Sequence, residues 1–463
     1  MQTDVSIHTE PLESKTSCTL VTNSSQRTRL LKRALRFSVA ALVLCAPCLL
    51  AAKEKSVPGP FVYSCAAKLP KDASSLNPTT RFEGKKAGWD LDASPAASNG
   101  GACSSAKPFF FSFPAKDATY QVTIELGGPS ASVMTVKAES RKLMLLNKSI
   151  AANETRTFTF NVPVRTPAIS GSQMVKLKQR EVGGLSWDDK LTLEFNGTNP
   201  SVRSITIRTV SVPTIYIAGD STVVDQAKEP WTAWGQILPV FFSDRIAISN
   251  IAESGETIRS FTDENRFAKI FFTMRAGDYL FIQFAHNDQK AGSGFVSIPD
   301  YKNFLRTYIA ETRAKGATPV LVTSMNRRTF NDKGEIQPSL GEYPQAMRDV
   351  AAEKGVVLID LNAQSKTLYE ALGPEQSVKA FVHYPANSFP DQPKELKDDT
   401  HFNAYGAYEL ARIIMSQIQT MHLPLASYLR ESIPPFDPSH PDPLTTFQLP
   451  ASPFVSSATP YER

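Results

Sequence analysis

The chain has 463 residues, with 50 Lys and Arg against 45 Asp and Glu, a formal charge of +5 and a pI near 8.8. Its 41% hydrophobic and 10% aromatic content supplies buried cores and excludes a wholly disordered chain. At about 150 residues per domain the length suggests two or three domains, and the 33 prolines lead us to expect loops or an extended tail.

The basic excess gathers at the amino terminus. Arg27, Arg29, Lys32, Arg33 and Arg36 precede the apolar run FSVAALVLCAPCLLAA at 37–52, and Lys53 and Lys55 follow it. Basic residues, an apolar core and small residues at its end make an export signal. The run is shorter than the ~20 residues that span a bilayer, and Pro47 interrupts it. We expect residues 1–52 to be a signal peptide cut near Ala51 or Ala52, and the protein to be periplasmic or extracellular. The alternatives are an uncleaved membrane anchor and a buried core segment.

Removing residues 1–52 takes away six basic and three acidic residues, leaving 44 against 42 and a formal charge of +2. That balance carries no nucleic-acid signature. Of five cysteines only Cys65 and Cys103 remain. A disulfide between them would close a loop of about 39 residues, for which chain entropy gives about 4 kcal/mol; two buried thiols are the alternative. No Cys/His spacing resembles a zinc site, so we expect no metal and no organic cofactor.

From 57 to 212 the pattern is strands and turns. PFFFSF (108–113), YQVTIEL (120–126), ASVMTVKAES (131–140), TRTFTFNVPV (155–164), KLTLEF (190–195) and SITIRTV (204–210) alternate apolar and polar residues or are rich in Val, Ile, Thr and Phe. Gly127-Gly128-Pro129 and Asn196-Gly197 are expected to turn the chain between them. Short strands without a helix predict a β-sandwich.

After Pro213 the rhythm changes. Strand-like TIYIAGD (214–220), IAISNIA (246–252), YLFIQFA (279–285), PVLVTSM (319–325) and VVLIDL (356–361) are separated by helical stretches, with a last helix expected over 403–421. Apolar strands alternating with amphipathic helices predict an α/β domain over 213–425, a parallel sheet covered on both faces in three layers. Residues 426–463 form a Pro-rich tail whose Phe residues suggest that it packs along this domain.

Active sites of such sheets lie beyond the carboxyl ends of the strands. There stand Gly219-Asp220-Ser221-Thr222, Glu253-Ser254-Gly255-Glu256 and His286-Asn287-Asp288, with Asp398-Asp399-Thr400-His401 before the last helix. Acyl transfer needs a nucleophile, a base, a group that orients the base, and oxyanion donors. Ser221, on the turn after a buried strand, is the candidate nucleophile. His401 has an Asp three residues before it, so Asp398 is expected to orient it, in preference to Asp399. The oxyanion donors expected are the backbone N–H groups of Ser221 and Gly255 and the side-chain amide of Asn287. His286 is expected to pack behind the site, and Trp231 and Trp234 to form either a sugar platform or helix core.

These four blocks, GDST, NIAESGET, FAHND and DDTH, resemble the SGNH (GDSL) hydrolase superfamily. AGDSTVVDQ, EPWTAWGQ, ESGETIRSF, QFAHNDQK and DDTHFNAYGAYELA are similar to its rhamnogalacturonan acetylesterase branch over roughly 214–425. The resemblance implies a five-stranded, flavodoxin-like parallel sheet preceded by a galactose-binding-like sandwich. It implies a serine carboxylic-ester hydrolase with catalytic Ser221, Asp398 and His401, acting on an acetylated plant cell-wall polysaccharide, rhamnogalacturonan in pectin. Acetylated xylan, peptidoglycan and lipid esters are alternative substrates, and a non-catalytic carbohydrate-binding protein is the alternative class. We expect a monomer with no nucleic-acid partner, and no membrane contact unless the anchor is retained. One departure stands out: the family usually carries Gly before the His of the third block, where this chain has Ala285. Were a positive φ needed there, Asn287 would be displaced.

Overall fold

In a computed structural model, which describes residues 59–431 and 433–456, two sheets hold the first strands. One contains Phe61–Ser64, Ala73–Ser75, Ala97–Asn99, Ala102–Ser104, Ala118–Leu126, Arg156–Val164 and Ser201–Val210. The other contains Gly88–Asp90, Phe109–Pro114, Ser132–Ala138, Lys142–Ile150 and Lys190–Thr198. In Ala118–Leu126 the buried residues Tyr120, Val122, Ile124 and Leu126 alternate with less buried ones, the period of a strand with one face on a core. That face meets Phe109, Phe111, Phe113, Leu191, Leu193 and Phe195 of the second sheet in a shared core, which makes the region the expected sandwich. The Cys65–Cys103 disulfide lies within it.

Two local expectations are corrected. Asn196-Gly197 is not a turn: both residues lie inside Lys190–Thr198, where Gly197 pairs with Met134. Gly197 has φ +115°, and a Cβ there would stand 2.0 Å from the Val133 carbonyl oxygen, so close backbone approach accounts for the glycine. Lys142–Ile150 was not anticipated because it lacks alternation. Leu143 faces the core of the parallel-sheet region while Met144 and Leu145 belong to the sandwich core, so consecutive residues are buried on both faces.

The second region is built on strands β1 (Thr214–Gly219), β2 (Ala247–Asn250), β3 (Tyr279–Gln283), β4 (Thr318–Val322) and β5 (Val357–Ile359), all parallel, in the order β2-β1-β3-β4-β5. This is the flavodoxin-like order. Along β1, Ile215 and Ile217 enter one core and Tyr216 and Ala218 the other, which is why its sequence is apolar without a break. Helices α1 (Trp234–Ile237), α6 (Leu361–Gln376) and α7 (Ala404–Thr420) cover the first face, and α2 (Ile258–Asp263), α3 (Arg266–Thr273), α4 (Ile298–Ala314) and α5 (Tyr343–Lys354) the second. An antiparallel hairpin, Phe381–Tyr384 with Leu396–Phe402, precedes α7. Its second strand reads LKDDTHF, too polar to be recognised as a strand.

The sandwich and the parallel-sheet region belong to one compact unit. The side-chain amide of Asn161 donates to the carbonyls of Asp244 (2.7 Å) and Ile246 (3.0 Å). The Pro-rich tail joins both. Phe436 is buried against α7, and the tail then crosses to the sandwich, where Lys137 Nζ donates to the Pro450 carbonyl and Ser452 Oγ, each at 2.7 Å. It was expected along the parallel-sheet region alone. No described helix is long and apolar enough to cross a membrane; the proposed export segment lies outside the described residues.

Candidate active site

β1 ends in a tight turn. The Asp220 carbonyl accepts from the N–H groups of Val223 (3.0 Å) and Val224 (3.1 Å), and the Asp220 carboxylate from the N–H (2.9 Å) and hydroxyl (2.7 Å) of Thr222. A Cβ at Gly219 would lie 2.7 Å from the Val223 side chain, so a larger residue could not enter this turn. The turn carries Ser221 past the carboxyl end of the sheet, and Gln226 Nε2 steadies its carbonyl at 2.8 Å.

Three of the residues singled out in sequence converge there. His401 Nε2 is 2.7 Å from Ser221 Oγ, and His401 Nδ1 is 2.8 Å from Asp398 Oδ2. Asp398 Oδ1 accepts from the backbone N–H groups of Thr400 and His401, both at 2.9 Å. Burial by itself raises the Asp398 carboxyl, but the hydrogen bonds from His401 and this backbone outweigh it and hold the group below the usual carboxylate range. An ionised Asp398 fixes the proton on Nδ1 and leaves Nε2 to accept from Ser221. Asp399 points away, to Arg328 (3.0 Å) and His383 (2.9 Å).

Gly255 lies in a turn closed from Glu256 N–H to the Glu253 carbonyl. Its φ of +76° is the left-handed value such a third turn position needs, and a Cβ would meet nothing closer than 3.8 Å, so conformation and not space calls for glycine. Among the described residues the N–H groups of Ser221 and Gly255 donate to no protein acceptor. Asn287 is oriented by Lys290 Nζ on its Oδ1 (2.7 Å) and by its Nδ2 donating to the Glu256 carbonyl (2.9 Å). An amide has two N–H bonds, so one remains for a ligand. Ala285 is buried and does not take a positive φ; the departure from glycine introduces no strain.

His286 is buried with Nδ1 3.5 Å from Asp220 Oδ2, and burial pushes its imidazolium pKa down. Asp288, wholly buried, caps the start of α2 by accepting from Ile258 N–H at 2.9 Å, and burial pushes its carboxyl up to about 8. Trp231 and Trp234 are buried, Trp234 donating to Gln283 Oε1 at 3.0 Å, so neither offers an exposed sugar platform.

A GDSL-like Lipase/Acylhydrolase family model matches residues 217–408. Rhamnogalacturonan acetylesterase RhgT of Bacillus subtilis is 42% identical over 217 residues, 46% of this chain and 93% of that protein. The chain belongs to the GDSL-like lipase/acylhydrolase family. A second relative, the probable rhamnogalacturonan acetylesterase YesY of Bacillus subtilis, is 33% identical over 215 residues, 46% of this chain and 94% of its own. The solved structure of YxiM from Bacillus subtilis covers 79% of this chain and 99% of its own at 22% identity, with a TM-score of 0.44. Family membership makes the chain a carboxylic-ester hydrolase.

This GDSL-like hydrolase also uses residues that its sequence did not single out. Arg141, from the sandwich, is buried and donates to the carbonyls of Gln226 and Trp231, each at 3.0 Å, while pairing with Glu229 at 2.6 Å. Lys178 and Arg180 reach Ser254 from the same region. Nothing local marks them, because their partners lie 70 to 90 residues away. A cavity of ≈ 420 Å³ is lined by the loop after β1, the Glu253–Ser254 segment, Arg180 and Trp187.

Proposed function

We propose that the protein is an exported carbohydrate esterase that removes acetyl groups from a plant cell-wall polysaccharide of the rhamnogalacturonan type, by a serine mechanism through an acetyl-enzyme. The observation that carries the mechanism is the Ser221–His401–Asp398 hydrogen-bonded chain at 2.7 and 2.8 Å. Ser221 Oγ attacks the acetyl carbonyl while His401 Nε2 takes its proton. The oxyanion forms toward the N–H groups of Ser221 and Gly255 and the free N–H of Asn287. As the tetrahedral intermediate collapses, His401 returns the proton to the departing sugar oxygen. Water, deprotonated by His401, then cleaves the acetyl-enzyme to acetate and free Ser221, while Asp398 stabilises the imidazolium in both steps without being protonated.

The substrate reading rests on the relatives named rhamnogalacturonan acetylesterase, and the export reading on the segment at 37–52. The test is acetate release from acetylated rhamnogalacturonan, acetylxylan and acetylated peptidoglycan by the wild type and Ser221→Ala. We expect release chiefly from the first and none with the variant. Turnover undiminished in Ser221→Ala would overturn the mechanism, and release confined to xylan or peptidoglycan would overturn the substrate.

A further inference from the structure

We propose that Lys178 and Arg180, which lie outside the GDSL-like region, are positioning residues that hold and polarise the Ser254–Gly255 peptide so that its N–H becomes a stronger oxyanion donor. The proposal rests on the reading of Gly255 N–H as one of those donors.

The argument begins with one peptide unit. The carbonyl of Ser254 and the N–H of Gly255 belong to the same planar trans amide and point in opposite directions. Lys178 Nζ donates to the Ser254 carbonyl at 2.8 Å, and Arg180 Nη2 donates to the same oxygen. Two cationic donors on one carbonyl draw electron density toward the oxygen and leave the N–H on the far side more positive. Hydrogen bonds linked through an amide strengthen one another in this way. The cations stand behind the peptide, away from the oxyanion, so they act through Gly255 and need not touch substrate. A Cβ built on Gly255 would be 3.8 Å from Lys178 Nζ and 3.9 Å from Arg180 Nη2, which places both charges close to this residue.

The surroundings hold this arrangement in place. Lys178 also pairs with Glu256, and Arg180 Nε with Glu253 Oε1 at 2.7 Å. The segment carrying them is pinned to α3 by Glu181, whose carboxylate takes both terminal nitrogens of the fully buried Arg266, at 3.0 and 2.6 Å. Glu181 also accepts from Lys178 N–H at 2.8 Å and from Trp187 Nε1 at 2.9 Å. The two glutamates balance the two cations, and the side chains of Lys178 and Arg180 are 22% and 37% exposed, so the effect is short-ranged and moderate. The matched family region begins at residue 217, and these groups come from the stretch before it; on this reading the N-terminal region completes the catalytic electrostatics of the hydrolase.

The test uses the chain with Lys178→Met, Arg180→Met and the double substitution, with Ser221→Ala in parallel. A small acetyl ester is the substrate, and methylboronic acid, whose tetrahedral adduct with Ser221 directs an oxygen to the same donors, is the inhibitor. We expect each single variant to lose roughly 5- to 10-fold in kcat, less than the ~10²–10³ for deleting a direct donor, with KM within about 2-fold. Methylboronic acid affinity should fall in proportion to kcat. Lys178→Arg should recover most of the loss. If a Met variant fails to fold, Lys178→Gln and Arg180→Gln decide the matter, since an amide can still donate to the Ser254 carbonyl without charge; they too should lose kcat. Unchanged kcat in a folded double variant, or a rise in KM with kcat intact, would overturn the proposal. Turnover persisting in Ser221→Ala would instead remove the reading of the site on which it rests.

Discussion

His401 Nε2 stands 2.7 Å from Ser221 Oγ although 180 residues separate the two along the chain. The turn after β1 supplies one partner and the polar strand before α7 the other. The Asp398 carboxylate sets the imidazole tautomer on which this contact depends.

Asp398→Asn should therefore reduce kcat by roughly 10⁴-fold, because an amide cannot hold the Nδ1 proton as a carboxylate does. Asp399→Asn should stay within about 3-fold, since Asp399 faces Arg328 and His383. Steady-state kinetics on the two variants side by side check the assignment. Comparable losses in both would contradict it.

Gly255→Ala forces a side chain into φ +76° at a cost of about 1 kcal/mol or more, or lets the turn rotate and carry its N–H off target. The expected outcome is a fall in kcat of about 10²-fold with the fold retained. Circular dichroism and kinetics on one preparation distinguish this from unfolding.

Asp288 gives a pH prediction with a definite sign. Its carboxyl is raised to about 8 in the folded protein, against 3.8 in the ordinary state, so between these values the folded chain holds a proton that the unfolded chain releases. Its contribution to stability is fully present below pH ~4 and is lost as pH rises through 8. Asp288→Asn keeps an acceptor for Ile258 N–H and removes that loss. Its melting temperature relative to wild type should rise between pH 5 and pH 8, by roughly 5 °C. A relative melting temperature independent of pH would show that Asp288 is ionised throughout.

Arg141→Met should destabilise the chain by about 3–5 kcal/mol, because Glu229 loses its guanidinium partner while remaining buried. The Trp231 carbonyl loses its donor as well, while that of Gln226 keeps only Gln236 Nε2. Denaturant unfolding measures the first effect and kcat the second. A variant as stable and active as wild type would remove Arg141 from any part in shaping that loop.

The legible part of the fold was the part governed by period. β1 to β5 and α4, α5 and α7 announce themselves through apolar runs and amphipathic spacing, and the strand Ala118–Leu126 through alternation. Lys142–Ile150 escaped because its first four residues are buried on both faces, and Leu396–Phe402 because a strand carrying Asp398 and His401 is polar. Asn196-Gly197 misled because the dipeptide that turns a hairpin also serves where a neighbouring backbone comes close.

The amino-acid sequence by itself marked the candidate residues of the site, since residue types in four short blocks at strand ends need only local context to be recognised. It also showed that the basic excess belongs largely to residues 1–52. Only the tertiary structure decided the rest. Asp398 was separated from Asp399 by the direction of each carboxylate, Ala285 was freed from suspicion by its backbone angle, and of the two roles open to Trp231 and Trp234 burial removed the sugar platform. It alone brought Arg141, Lys178 and Arg180 to the loops around Ser221 and Gly255. These are long-range hydrogen bonds and ion pairs, set by how two folded surfaces meet, and no spacing along one chain encodes such a meeting in a local pattern.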